Sequence, residues 1–241
     1  MTQNPDIFYI QSDSKEEDVL LLHGWGGSSE SFRAVFEFLQ KKYRVTAIDF
    51  PGFGKSPSPP YPYTVTDYAQ KLKDFLDSKN ISKTHIIAHS FGGRVAIELC
   101  YRYPELVDKL ILTASAGIKP KRKLRYYINL LKFKTAKLLK KDLSKFGSKD
   151  YKNADGVMRA VFVKAVNYDQ TKLLKHIKAN TLLIWGQNDT ETPIYMAKKI
   201  NRLIKNSKLI VFRDTGHFAY MEKSLLFLRH IQRFLGGCVN D

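Results

Sequence analysis

The stretch at residues 84–100 restricts the fold most strongly, because it passes from a strand pattern to a helix pattern with almost no chain between them. Residues 86–88 form an apolar run that predicts a short buried strand, and the apolar residues that follow recur at helical spacing. Ser90 lies at the apex of the tight turn between them, where such a turn exposes a hydroxyl group beside a helix N-terminus. The flanking residues must be small, as Ala88 and Gly92 are. The pattern also fits an ordinary strand-to-helix turn that happens to contain a serine, so the rest of the chain has to decide.

Apolar runs of strand length alternate with helical patterns along most of the chain. The runs predicted to be strands cover residues 7–10, 19–22, 43–48, 86–88, 109–113, 181–185 and 209–212. Several of them are apolar without interruption, as in parallel strands that are buried on both faces. Strands and helices that alternate at this spacing predict a doubly wound, mostly parallel sheet. We therefore expect a single α/β domain that spans residues 1–241.

The alternation stops after Gly117, and no strand-like run follows until residue 181, which predicts a helical insert. Two amphipathic helices are predicted there, the second at residues 158–166. The first contains the apolar residues Leu124, Ile128, Leu131 and Leu138. Residues 119–178 include 18 Lys and Arg but four Asp, and therefore carry +14 of the formal net charge of +17. A nearly neutral body thus carries one strongly basic insert.

Three interpretations of this basic insert stay open. A run of charges is most often a solvated face. The charge would alternatively raise the local concentration of an anionic substrate, or hold an amphipathic helix on an acidic membrane surface. Binding of nucleic acid is not favoured, because the insert has no base-reading motif.

Other sequence patterns favour a soluble, cytoplasmic protein without a cofactor. The N-terminal residues lack the basic and apolar regions of a secretory signal, and no apolar run is long enough to span a bilayer. Two cysteines, Cys100 and Cys238, do not make a disulfide framework. The chain lacks H-E-x-x-H, a Cys/His cluster, G-x-G-x-x-G and G-K-[ST], so we expect neither a metal nor a nucleotide cofactor.

A serine hydroxyl becomes a useful nucleophile only when a base removes its proton and a third group orients that base. Asp189 and His217 follow the predicted strands at 181–185 and 209–212, and loops at the carboxyl ends of strands are where open α/β sheets place their sites. The chain order Ser90, Asp189, His217 is that of one known catalytic triad arrangement. Taken singly, Asp189 also fits a cap for the next helix, and His217 a solvated loop histidine. Their joint occurrence favours a triad.

Acyl transfer also needs two N–H donors directed at the oxyanion of the tetrahedral intermediate. Phe91, the residue after the predicted nucleophile, offers its backbone N–H at a helix N-terminus. Trp25 follows the 19–22 strand and is in position to offer the second. His23, in the same loop, is expected to be a structural hydrogen-bonding residue.

Five motifs together carry a family resemblance. They are H-G-W-G-G, D-F-P-G-F-G-K-S, A-H-S-F-G-G, G-Q-N-D and D-T-G-H. They resemble the α/β-hydrolase superfamily, and the first two look most like small carboxylesterases akin to the pimeloyl-ester esterase of biotin synthesis and like hydrolases of ring-cleavage products. The resemblance implies a Ser90–His217–Asp189 triad, an oxyanion hole at Trp25 and Phe91, a lid at 118–178 and a sheet of about seven or eight strands. Ala88 departs from the usual glycine, and the short N-terminus favours seven strands.

Arg94 suggests a narrower reading, since S-F-G-G-R resembles the S-x-G-G-R of the menaquinone-pathway lyase in this superfamily. There the resemblance implies an arginine that helps to hold a carboxylate-rich substrate. Four residues after Ser90 on a helix, Arg94 would share its face. A salt bridge at the helix surface is the alternative, and G-G-R also occurs in plain esterases.

The sequence thus predicts a serine hydrolase that cleaves a small-molecule carboxylic ester, which the basic residues would allow to be anionic. The alternatives are a menaquinone-pathway-like lyase, a C–C bond hydrolase acting on an anionic substrate, and a non-hydrolytic ligand sensor of the same fold. Because a fold does not fix a substrate, acyl length and leaving group stay open.

Overall fold

The computed structural model describes residues 7–13, 17–120 and 148–236, together with residues 131, 135, 138 and 139. The described strands are β1 (Tyr9–Gln11), β2 (Asp18–Leu22), β3 (Arg44–Ile48), β4 (Thr84–His89), β5 (Val107–Thr113), β6 (Asn180–Gly186) and β7 (Ser207–Phe212). The described helices are α1 (Arg33–Leu39), α2 (Val65–Ser78), α3 (Phe91–Arg102), α4 (Lys149–Asn153), α5 (Gly156–Asn167), α6 (Ile194–Leu203), α7 (Ala219–Glu222) and α8 (Ser224–Leu235). Short 3-10 helices lie at Ser29–Phe32 and Leu173–His176.

The seven strands form one sheet in the order β1-β3-β2-β4-β5-β6-β7. Only the edge strand β1 is antiparallel to its neighbour within this described sheet, and the other pairs are parallel. Every residue of β4 is buried, and β2 and β6 are buried except for their first residues. Because parallel strands need helical crossovers that cover both faces, the central residues of these strands form unbroken apolar runs rather than alternating ones. The predicted doubly wound sheet is therefore confirmed.

Helices cover the sheet on two sides and define two apolar clusters. One cluster contains the buried faces of α2, α3 and α6, and the other contains those of α1 and α8. Helix α2 begins at a capping box in which Thr64 accepts from the Asp67 N–H, as its sequence predicts. Because β4, β6 and β7 run parallel, their carboxyl ends lie at the same edge of the sheet, and the loops that follow them are brought together.

The last helix, α8, packs against the second apolar cluster. In α8 the fully buried residues are Phe227, Ile231 and Leu235, while Leu228 and Phe234 are half-buried at the edge of the cluster.

Much of the predicted insert at 118–178 lies outside the described residues, including Leu124 and Ile128 of its first helix. The second predicted helix is α5, and it buries Met158, Val161 and Ala165. Leu131 and Leu138 of the first helix are described, and they are 66% and 83% exposed. These two leucines therefore face solvent and do not cover a pocket.

Candidate active site

Ser90 stands between β4 and α3 in a strained backbone conformation, with φ 47° and ψ −108°. A non-glycine residue adopts such values only where the surrounding structure enforces them. Here the Ser90 N–H donates to the Thr113 carbonyl at 3.2 Å, and the Ser90 carbonyl accepts from the Ala116 N–H at 3.0 Å. The turn also requires glycine at position 92, because a Cβ on Gly92 would lie 2.4 Å from the Leu22 carbonyl oxygen. Neighbouring strands thus hold the serine in place.

A cavity of about 590 Å³ opens at Ser90. Most of its described lining is apolar, and these apolar residues come from the loop after β2, the start of α3, the segment after β5, α5 and α6. The polar side chains that line it include Arg94, Ser148, Asp150, Glu191 and Thr192. A largely apolar pocket with a few polar groups is the usual form of a small-molecule site.

His217 and Asp189 meet beside this cavity, with His217 Nδ1 at 2.9 Å from Asp189 Oδ2. The second carboxylate oxygen, Oδ1, accepts from the backbone N–H groups of Glu191 and Thr192, both at 2.9 Å. Oδ2 also lies 2.7 Å from the Thr192 hydroxyl. Both oxygens of the Asp189 carboxylate therefore have hydrogen-bond partners. Asp189 is not the N-cap residue of α6, which is Pro193.

The environment of Asp189 keeps its carboxyl group ionised. Burial acts to raise its pKa, but the hydrogen bonds and charge of His217 and the hydrogen bonds from Thr192 lower it more, so the net pKa lies below the ordinary value. An ionised carboxylate accepts the Nδ1–H of His217, which leaves Nε2 as the ring's proton acceptor.

The Nε2 atom of His217 faces a second carboxylate, because Glu191 Oε2 lies 3.4 Å from it. In the part of the chain that the structure describes, no hydrogen bond joins Nε2 to the Ser90 hydroxyl. Hydrogen bonds between base and nucleophile are often long without substrate and tighten when it binds. Glu191 was not anticipated from the sequence, because its approach to His217 depends on the conformation of the loop after β6.

Trp25 and Phe91, which the sequence predicts as the oxyanion hole, both line the cavity beside Ser90. Their rings are perpendicular, with centroids 5.5 Å apart. The structure describes no acceptor for the backbone N–H of either residue within residues 17–120 and 148–236. Phe91 is the first residue of α3, and the N–H groups of a first turn have no partner within their own helix. Both N–H groups are thus available to a ligand.

Two buried histidines in this region are neutral. Burial lowers the pKa of His23 to about 4, and its Nε2 accepts from the Phe50 N–H while Nδ1 donates to the Gly24 carbonyl. Burial, reinforced by the charge of His217, lowers the pKa of His89 to about 3. His89 Nε2 donates to the backbone carbonyl of His217 at 3.1 Å. The structural role expected of His23 agrees with these bonds, whereas the contact of His89 was not anticipated.

Arg94 is buried, and its guanidinium lines the cavity together with Ser90. It donates to the Tyr168 carbonyl, and the Tyr168 hydroxyl in turn donates to Glu98 Oε2 at 2.9 Å. Burial lowers the pKa of Arg94 to about 10, although Asp169 and Tyr168 act in the opposite direction, so it stays charged at neutral pH. The alternative of a salt bridge at the helix surface does not describe this residue.

Two other kinds of feature are absent from the described residues. No group of three or more His, Cys, Asp or Glu there could hold a metal ion. No helix among those residues has the length and apolar character needed to cross a bilayer.

Known proteins resemble this chain over nearly its whole length. A family model described as the alpha/beta hydrolase fold matches residues 19–130 and 118–224. A 2-hydroxy-6-oxononadienedioate/2-hydroxy-6-oxononatrienedioate hydrolase of Escherichia coli K12 is 30% identical over 260 aligned positions, which cover 95% of this chain and 90% of that protein.

Solved structures agree with this similarity. A meta-cleavage product hydrolase from Pseudomonas fluorescens IP01 is 25% identical, with a TM-score of 0.75 over 95% of this chain and 93% of that one. The enol-lactonase from Burkholderia xenovorans LB400 has a TM-score of 0.78 at 18% identity, over 95% of this chain and 96% of its own. At 18% identity, the similarity to the enol-lactonase shows only that the two proteins share a fold.

Proposed function

This chain belongs to the α/β hydrolase fold family, and on that basis we propose that it cleaves carboxylic esters through an acyl-enzyme on Ser90. The observation that carries the proposal is the position of His217, bonded to a buried Asp189 at 2.9 Å, beside the cavity that opens at Ser90. A nucleophile, a base and a group that orients the base are thereby available at one pocket.

Each residue of the proposed triad has a defined task. Ser90 Oγ attacks the ester carbonyl and gives its proton to His217 Nε2. As the tetrahedral intermediate collapses, the C–O bond breaks and Nε2 passes that proton to the leaving alcohol. Water then attacks the acyl-enzyme carbonyl and gives its proton to His217 Nε2. The bond between the acyl group and Ser90 Oγ breaks, Nε2 returns the proton to Oγ, and the acid is released. Asp189 fixes the tautomer of His217 and stabilises the imidazolium.

The proposed oxyanion hole consists of the backbone N–H groups of Phe91 and Trp25. Hydrogen bonds of this kind stabilise the negative charge that develops on the carbonyl oxygen, and removal of one such donor typically costs ~10²–10³ in kcat. The unused N–H groups of both residues support this assignment, as does the position of Phe91 at the N-terminus of α3.

Arg94 is proposed to bind a carboxylate on the acyl part of the substrate. It is a buried charge at the cavity, and a guanidinium presents several donors in a geometry that suits a carboxylate. The E. coli relative is named for a substrate with two carboxylates, which fits an anionic substrate class. We therefore expect a small anionic ester as substrate and no cofactor.

The test combines activated esters of increasing acyl length with a phosphonate probe that labels reactive serines. Wild-type protein should hydrolyse at least one ester and be labelled once, and Ser90→Ala should lose both properties while its circular dichroism spectrum is unchanged. Labelling that persists in the variant would place the nucleophile elsewhere. Sluggish turnover together with tight retention of product would instead favour the ligand sensor.

A C–C bond hydrolase is the second candidate, and the similarity to the E. coli enzyme favours it. In that reaction the proposed triad would act on a carbon–carbon bond, with Arg94 holding a carboxylate. Incubation with 2-hydroxy-6-oxononadienedioate, followed by its absorbance, tests this activity directly. Turnover of that compound far above the best ester would replace the ester proposal. The lyase alternative predicts elimination with no uptake of oxygen from labelled water, which mass spectrometry of the product would detect.

A further inference from the structure

The backbone of the loop after β6 fixes Glu191 beside the proposed base. Its N–H donates to Asp189 Oδ1 at 2.9 Å, so the residue is tied to the carboxylate that also holds His217. Its own carboxylate then reaches across to His217 Nε2, at 3.4 Å, and lines the cavity. Glu191 makes no ion pair with a Lys or Arg within the described part of the chain, and its side chain is 59% exposed.

The chemistry of acyl transfer determines which part of a substrate meets Glu191. His217 Nε2 must come within hydrogen-bonding distance of the leaving oxygen in order to protonate it. A carboxylate 3.4 Å from Nε2 is consequently a neighbour of the leaving group, whatever the acyl group is. An anionic leaving group would be repelled there, and a cationic one would be attracted.

We infer that Glu191 forms a subsite for the leaving group and selects alcohols that carry a positive charge. The inference rests on the proposed ester hydrolysis at Ser90 and specifies its substrate further. Asp150 contributes a second carboxylate to the described lining, whereas Arg94 contributes the buried positive charge. The preferred substrate would join an anionic acyl group to a cationic alcohol.

The size of the effect follows from exposure. An ion pair at a largely exposed side chain is screened by water and contributes a modest amount. We therefore expect Glu191 to change the preference between charged and neutral leaving groups about twofold to fivefold rather than by several orders of magnitude.

The test uses three esters of one acyl group, the one turned over fastest in the ester panel. Their alcohols are 2-(trimethylammonio)ethanol, its uncharged isostere 3,3-dimethylbutanol, and 2-hydroxyethanesulfonate. Values of kcat/KM are measured for wild-type protein, Glu191→Gln and Glu105→Gln. The last variant removes the same charge from an exposed position and controls for net charge.

Wild-type protein should prefer the cationic ester to the neutral one and the neutral one to the anionic one. Glu191→Gln should reduce the ratio of cationic to neutral kcat/KM about twofold to fivefold and raise that of anionic to neutral, while Glu105→Gln keeps the wild-type ratios. A preference that is absent from wild type, or that survives in Glu191→Gln, would overturn the inference while leaving ester hydrolysis intact. Failure of wild-type protein to hydrolyse any ester would overturn both.

Discussion

His89 and His217 are joined by a hydrogen bond from the side chain of the first to the backbone carbonyl of the second, 3.1 Å long. His89, the last residue of β4 and the residue directly before Ser90, thus anchors the loop after β7 that carries the proposed base, His217. Their rings lie with centroids 4.7 Å apart, and burial keeps His89 neutral, with its pKa lowered to about 3. This arrangement leads to the first prediction.

Replacement of His89 by Gln should flatten the dependence of stability on pH. The folded pKa of His89, about 3, lies below the ordinary value near 6.5, so the unfolded chain binds one more proton between these values. Above pH ~6.5 the neutral form of His89 therefore costs the folded protein nothing. As the pH falls from 6.5 toward 3, the free energy of unfolding decreases through this residue by up to about 1.4 kcal/mol per pH unit. Urea unfolding at pH 7, 5 and 4 measures the slope. Equal slopes in the two proteins would contradict a neutral, buried His89.

Asp189→Asn should reduce kcat by several orders of magnitude, on the scale of ~10⁴ known for triad aspartates whose loss leaves the imidazole in the wrong tautomer. The end of β5 has no carboxylate in Thr113-Ala114-Ser115-Ala116 to take its place. Thr192→Val is the matched control, because it removes one hydrogen bond to Asp189 Oδ2 and keeps the charge. Its loss should be far smaller. A nearly normal rate in Asp189→Asn would mean that the residue acts only within its loop.

Gly92→Ala should destabilise the fold, because the new methyl group would lie 2.4 Å from the Leu22 carbonyl oxygen and 2.6 Å from that of His23. Overpacking of this kind typically costs about 1–3 kcal/mol, and backbone atoms cannot move aside as a flexible side chain does. Gly216→Ala is the control for stability, since its nearest new contact would be an ordinary 3.5 Å. Thermal unfolding compares them, and equal melting temperatures would show that the turn has room at position 92.

The basic insert gives a prediction about ionic strength. Steering of an anionic substrate predicts that added salt lowers kcat/KM more for a carboxylate-bearing ester than for a neutral ester of equal length, since exposed charges are screened over about 10 Å at 0.1 M salt. Docking on a membrane predicts no such difference. Leu131 and Leu138, the described apolar residues of the first predicted helix of the insert, are exposed and so available to either kind of contact.

Anionic vesicles decide between the remaining interpretations if the two esters respond alike. Co-sedimentation that is lost in a Leu131→Ser, Leu138→Ser double variant would support docking, because both leucines are exposed. Co-sedimentation of neither protein would leave the insert a solvated face. The experiment needs vesicles with acidic and with neutral headgroups, so that charge and apolar contact are separated.

Local sequence patterns predicted the parts of the candidate site that lie directly after strands in the chain. The turn at Ser90 is visible because a strand pattern meets a helix pattern there, and Asp189 and His217 could be paired because parallel strands end at one edge of the sheet. Glu191 and Thr192 could not be predicted, because their contacts depend on how the loop after β6 folds back on Asp189. Arg94 could be placed on the face of Ser90, but only the packing of Tyr168 distinguishes a buried guanidinium from a surface ion pair.

The position of Ser90 between neighbouring strands has a consequence for how the protein loses its activity. Its turn is bonded to the end of β5 on one side and, through the Gly92 N–H, to the His23 carbonyl after β2 on the other. Both strands belong to the buried middle of the sheet, which in most proteins opens only when the whole molecule opens. Labelling of Ser90, the proposed nucleophile, should therefore persist in denaturant until the fold itself is lost.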